Sequence, residues 1–221
     1  MPASRLTALQ AHVLETLARA GGGWTLTGGA ALAGFHTRHR TTRDLDLFWR
    51  ARTEIAGARD EVLALLRAAG LHVDVLQSEP ALGRLRVEDG GETLVVDLVA
   101  DPVAAIEPPT RVDLGGRALR VDSPHEILVN KLCALLQRSE LRDLTDVEAL
   151  LETGLDLERA LRDAPRKDGG FSPLTLIRVL RSLSIEAMAR ASGAPGPDTA
   201  RALTFRDLLV ARIASLARPG R

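Results

Sequence analysis

Apolar residues fall at Leu6, Leu9, Val13, Leu17 and Ala20. This three-and-four spacing predicts an amphipathic helix over residues 5–20, stopping at the run Gly21, Gly22, Gly23. Residues 24–27 are β-prone and end at Gly28 and Gly29, after which 30–35 reads as a short helix and 41–49 as a second strand. A helix over 54–69, closed by Gly70, precedes three strand-like runs, 71–76, 82–87 and 93–99. Asp89-Gly90-Gly91 joins the last two as a hairpin, and residues 110–121, turning at Gly115 and Gly116, predict another. Ser123-Pro124-His125-Glu126 is a capping box with proline at the first helical position. Only helical periodicity follows it, with breaks at Gly154, 167–170 and 193–197 and another helix start at Ser172-Pro173. The pattern divides the chain into a mixed α/β lobe over 1–121 and an all-helical lobe over 122–221.

At roughly 150 residues per domain, 221 residues make one compact unit with a helical extension or two small lobes. Lys plus Arg number 29 and Asp plus Glu number 29, so the formal net charge is zero. With two Trp, four Phe and no Tyr, the chain lacks both the basic excess of a broad nucleic-acid surface and the aromatics of a base-stacking platform. Any nucleic-acid contact must be local. Cys133 stands alone, which excludes an intramolecular disulfide, a CxxC redox pair and a cysteine zinc site, and suits a reducing, cytoplasmic setting. The uncharged stretch between Arg19 and Arg38 is too rich in glycine to read as a membrane span. The first ten residues lack the apolar core of a signal peptide.

The chemistry concentrates in Thr42-Arg43-Asp44-Leu45-Asp46-Leu47-Phe48. On a strand, Asp44 and Asp46 share one face about 7 Å apart, while Leu45 and Leu47 face the core. Two such carboxylates either hold a hard cation such as Mg²⁺ or lie solvated on an open face. Asp97 interrupts an apolar strand, where an unpaired carboxylate is costly; it reads as a third ligand, a base, a solvent-facing acid or the partner of an arginine. Gly28 and Gly29, between a strand and a helix, make either a tight turn or an anion cradle. Lys131 lies about 40° around its helix from Ile127, within the apolar arc, either snorkelling or contacting phosphate. Asp143 and Asp146 open the next helix, Asp143 flanking its apolar side and Asp146 pointing further away, and serve the helix dipole or the chemistry. His36, Arg38, His39, Arg40 and Arg43 form a dense basic patch, fit for triphosphate or an RNA backbone, or simply a solvated loop. No HExxH, nucleophile elbow or P-loop is present in the sequence.

The order of these residues resembles the nucleotidyltransferase signature of the DNA polymerase β superfamily. More closely, TGGAALAGFHTRHRTTRDLDLF, VVDLVAD, SPHEILVNKLCALLQR and LRDLTDVEALL are similar to the four motifs of the AbiEii/AbiGii toxin-like nucleotidyltransferases, over roughly residues 22–152. The resemblance implies an α+β fold: a nucleotidyltransferase-type mixed sheet flanked by helices, followed by an all-helical C-terminal lobe that brings Lys131 and the RDLTD motif to the cleft. It implies that Asp44 and Asp46, with Asp97, hold Mg²⁺ or Mn²⁺, that Gly28, Gly29, Arg40, Arg43 and Lys131 bind the NTP, and that Asp97, Lys131 and an acid of Asp143 and Asp146 serve catalysis. Ala30 departs from the Ser or Thr common after the second glycine. The implied reaction moves an NMP from an NTP to an acceptor, with pyrophosphate leaving. RNA, such as a tRNA 3′ end, is the leading acceptor, and a separately encoded antitoxin protein is the implied partner. A small-molecule or protein acceptor, or a decayed scaffold that binds a partner, stands as the alternative.

Overall fold

A computed structural model describes residues 4–19, 22–138, 140–192 and 196–217. The readings that fall on Ala20, Gly21 and the Gly193 break lie outside these residues. Two units divide the chain, Met1–Ser123 and Pro124–Arg221.

In the first unit seven strands form one mixed sheet in the order β3-β4-β5-β2-β1-β7-β6. They are β1 (Thr25–Thr27), β2 (Asp44–Arg50), β3 (His72–Ser78), β4 (Leu82–Asp89), β5 (Glu92–Asp101), β6 (Thr110–Leu114) and β7 (Arg117–Val121). The central strands β2 and β5 run parallel, and β1 pairs antiparallel to β2 and parallel to β7. Alternation sets the faces: Leu45, Leu47, Trp49, Val96, Leu98 and Leu85 are all buried, whereas Asp44, Asp46, Phe48 and Arg50 on the opposite face are half-buried. Gly90 and Gly91 both take positive φ, 54° and 86°, which is what a two-residue turn between Asp89 and Glu92 requires.

Three helices pack with this sheet: α1 (Ala8–Ala18), α2 (Gly28–Phe35) and α3 (Ala56–Ala68). The first starts three residues later than its apolar spacing predicts, because Thr7 caps it. The Thr7 hydroxyl accepts from the Gln10 N–H at 3.2 Å, and the Gln10 side chain accepts from the Thr7 N–H at 2.9 Å. Conversely α2 begins two residues earlier than predicted and takes both glycines into its first turn.

All regular secondary structure among the described residues of the second unit is helical: α4 (Pro124–Gln137), α5 (Leu141–Glu152), α6 (Leu157–Asp163), a 3₁₀ turn (Ala164–Arg166), α7 (Pro173–Ser182), α8 (Ile185–Ser192) and α9 (Gly196–Leu216). Proline opens α4 and α7, where its missing N–H costs nothing. Asp156 caps α6 by accepting from the Glu158 and Arg159 N–H groups. Packed against α5, α6 and α7, α4 buries Ile127, Leu128, Leu132 and Leu135. No helix among the described residues is long and apolar enough to cross a membrane.

Candidate active site

The alternation of β2 sends Asp44 and Asp46 to the half-buried face of the sheet. Register then lines polar side chains up across four strands, three of them charged. Asp46 stands opposite Thr27 on β1 and Asp97 on β5, and Asp97 stands opposite Arg84 on β4. Neighbouring strands are about 4.8 Å apart, so Asp46 and Asp97 are adjacent carboxylates.

Against this row lies the start of α2. Gly28 has φ +64°, and a Cβ there would overlap the Asp46 carboxylate. A Cβ on Gly29 would come within 2.9 Å of Thr42 Oγ1 and 3.1 Å of an Arg40 guanidinium nitrogen. The first turn of α2, the Asp46 carboxylate, the Thr42 hydroxyl and the Arg40 guanidinium thus converge on one spot. First-turn N–H groups, which a helix leaves without intrahelical partners, and the positive end of the helix dipole favour an anion there. The buried Thr42 also donates its hydroxyl to Asp44 Oδ1, and its carbonyl accepts from the buried Gln10 side chain at 3.0 Å.

Asp97 is engaged with Arg84 through two parallel bonds, Nε to Oδ1 at 2.7 Å and Nη2 to Oδ2 at 2.8 Å. These bonds and the Asp97 charge raise the Arg84 pKa above its ordinary value, against a desolvation cost, with further help from the fields of Asp46 and Asp44. No three His, Cys, Asp or Glu side chains among the described residues gather as a metal site. Asp44 and Asp46 nevertheless fit a hard divalent cation, as two half-buried carboxylates that strand alternation sets on one face.

The members of the basic patch have different surroundings. The His36 ring donates from Nε2 to the Asp122 carbonyl at 2.9 Å, and burial lowers its pKa although that bond and the Asp122 charge oppose the shift. Arg38, at φ +53°, closes α2: its N–H reaches the Leu32 carbonyl at 2.9 Å and its Nε the Gly34 carbonyl at 3.3 Å. His39 bonds Thr37 at 2.6 Å. Arg40 is the member set beside Gly29, whereas Arg43 lines a recess of about 660 Å³ with Thr7, Gln10, Thr42 and Thr93. At the far end of β2, Arg50 stacks over Phe48, 4.8 Å from the ring centroid, and pairs with both Asp101 and the buried Asp122.

Within the helical unit, Lys131 finds its anions on α5. Its Nζ is 2.8 Å from Asp143 Oδ1 and 2.7 Å from Asp146 Oδ2, and both carboxylates are fully buried. The expectation that Asp146 points away from the packed side is therefore corrected. Residues three apart share a helix face, and the Lys131 charge draws both acids inward where the apolar residues of α5 alone indicated only one. Burial opposes the charge of Asp143, but hydrogen bonds from Arg138 at 2.8 and 2.9 Å, with the charge and bond of Lys131, hold its carboxyl below the ordinary range. A second buried set joins Glu126 to Lys167, and His125 to Asp163 at 2.8 Å.

A family profile described as "Nucleotidyl transferase AbiEii toxin, Type IV TA system" matches residues 12–207. The chain belongs to this AbiEii family. Two solved structures share the fold of this AbiEii protein. A Helicobacter pylori protein described as a nucleotidyltransferase is 21% identical, with a TM-score of 0.53 over 96% of this chain and 95% of its own. JHP933, also from Helicobacter pylori, is 21% identical, with a TM-score of 0.51 over 94% and 90% of the two chains. Among curated proteins the chain has no match. Nucleotidyl transfer is thus the general chemistry of the family, on an α+β fold with a mixed seven-stranded sheet.

In this AbiEii protein, Thr42, Arg84 and Arg50 are parts of the charged face that sequence reasoning passed over. A signal existed for two of them. Thr42 sits two residues before Asp44, the spacing that shares a strand face. Counting outward from the Gly90-Gly91 turn sets Arg84 opposite Asp97. Arg50 had none, because Asp101 and Asp122 reach it through long-range pairing.

Proposed function

We propose that this AbiEii protein transfers a nucleoside monophosphate from an NTP to an RNA acceptor such as the 3′ end of a tRNA, with Asp44 and Asp46 holding Mg²⁺ or Mn²⁺. The observation that carries this reading is the convergence of Asp46, Thr42 and Arg40 on the first turn of α2. A carboxylate pair for a cation and an anion cradle lie side by side, the combination that a metal-bound triphosphate needs. The cation, when bound, neutralises triphosphate charge as the bond to the α-phosphorus breaks.

The chain's own groups do the rest. N–H groups at the start of α2 donate to phosphate oxygens, and the absence of a side chain at Gly28 and Gly29 lets the phosphate come close. Arg40 adds a guanidinium to the same anion. Thr42 orients Asp44 by its hydrogen bond, and Gln10 holds Thr42 through its carbonyl. Ala30 offers no hydroxyl to phosphate, so backbone and Arg40 carry that contact. The acceptor's terminal hydroxyl forms the new bond to the α-phosphorus, its proton leaves, and pyrophosphate departs. The family's toxin–antitoxin description supports a separately encoded antitoxin as the protein partner.

Incubation with total RNA and each α-³²P-NTP in Mg²⁺ tests the reading. Labelled RNA is expected with the native protein and none with Asp44→Asn or Asp46→Asn of unchanged circular dichroism. Label on protein or on a small molecule would move the acceptor to that class, and label retained by both variants would remove the cation assignment.

A further inference from the structure

Asp97 is the acid that the row of charges places beside Asp46, and its position alone would make it a third ligand of the cation. Its bonding says otherwise. Both carboxylate oxygens accept from one guanidinium fork, and the side chain is only 13% exposed. The Arg84 side chain, in contrast, is 47% exposed. The two bonds use Nε and Nη2, so Nη1 still has donors to give. A divalent cation on Asp97 would sit within a few ångströms of a fixed positive charge, which repels it. An anion drawn to a cation on Asp44 and Asp46 would meet the same guanidinium with attraction.

We infer that Asp97 is a positioning residue that holds Arg84, and that Arg84 is a phosphate-binding residue reaching the triphosphate or the leaving pyrophosphate. The inference rests on the reading that Asp44 and Asp46 hold the divalent cation. It divides the face in two: Asp44 and Asp46 take the metal, and the Arg84–Asp97 pair, neutral as a whole, takes phosphate. The raised pKa of Arg84 accords with a guanidinium already inside the field of Asp44 and Asp46.

The test measures Mn²⁺ affinity by electron paramagnetic resonance and NTP kinetics on the full chain. The variants are Asp44→Asn, Arg84→Gln, Asp97→Asn and the double substitution R84Q/D97N, which keeps the local net charge. The double variant is expected to bind Mn²⁺ within about threefold of the native protein, because no metal ligand is lost. Its KM for NTP should rise about tenfold, with a smaller change in kcat. Each single variant should show most of that KM defect, since one residue acts through the other. Asp97→Glu, which keeps the carboxylate, should restore part of the affinity, and it serves as the readout if the double variant does not fold. Loss of Mn²⁺ binding by the double variant to the level of Asp44→Asn would make Asp97 a ligand and overturn the inference, as would an unchanged KM. Mn²⁺ affinity left intact by Asp44→Asn would instead remove the cation reading on which the inference stands.

Discussion

A Cβ on Gly28 would overlap the carboxylate of Asp46, so the first residue of α2 and the second acid of β2 fit only because one of them has no side chain. Gly28 also holds φ +64°, a conformation that costs other residues energy. Gly28→Ala is therefore expected to lower stability by about 1–3 kcal/mol and to displace Asp46. Urea unfolding checks the first effect. Mn²⁺ titration of the folded fraction checks the second, with weakened binding expected.

Thr42→Val keeps the shape of the buried side chain and removes the hydroxyl that Asp44 accepts from. Stability should fall by about 1 kcal/mol, while nucleotide transfer falls by a larger factor, because the carboxylate loses its orientation. Thr42→Ser should recover most of the rate. Equal rates in the Val and native proteins would mean that Asp44 is positioned without this bond.

Lys131 balances two fully buried carboxylates. Lys131→Met leaves both without their shared cation and should cost about 3–5 kcal/mol, read as a drop in the denaturant midpoint of the helical unit.

The carboxyl of Asp143 is held below its ordinary 3.8 in the folded state. The unfolded chain therefore takes up this proton first as pH falls. The stabilisation is fully present above the unfolded value and disappears as pH drops through the depressed folded value. Unfolding free energy between about pH 5 and about pH 2 should fall in the native protein. In Asp143→Asn the curve should be flatter over that window and lower at neutral pH.

Cys133 is buried, donates to the Ala164 carbonyl at 3.7 Å, and has its thiol pushed up to about 12, first by burial and then by the Asp168 charge, against the Lys167 charge. It should resist thiol reagents at pH 8 in the folded protein and react at once in guanidinium. Rapid labelling under native conditions would show that α4 opens locally.

What could be read from the chain follows the range of the interactions involved. Strand alternation is local, so Asp44 and Asp46 could be set on one face from their spacing, and both glycine hairpins could be read from their turns. The capping of α1 was equally local, in Thr7 and Gln10, but apolar spacing masked it. Asp146 was misplaced because its direction is set by a lysine on another helix. The parallel pairing of β2 with β5, which brings Asp97 to Asp46, joins segments with α3, β3 and β4 between them, and no periodicity reports it.

That separation also orders events in time. Asp44 and Asp46 leave the ribosome well before the strand that flanks them, and β2 cannot pair with β5 until β5 has itself been made and docked. Before docking, the two acids are ordinary solvated side chains and Arg84 has no fixed partner. The Asp97–Arg84 end of the row therefore forms only once β5 is in place, so a chain stalled or cut ahead of β5 carries the two aspartates without Asp97 beside them.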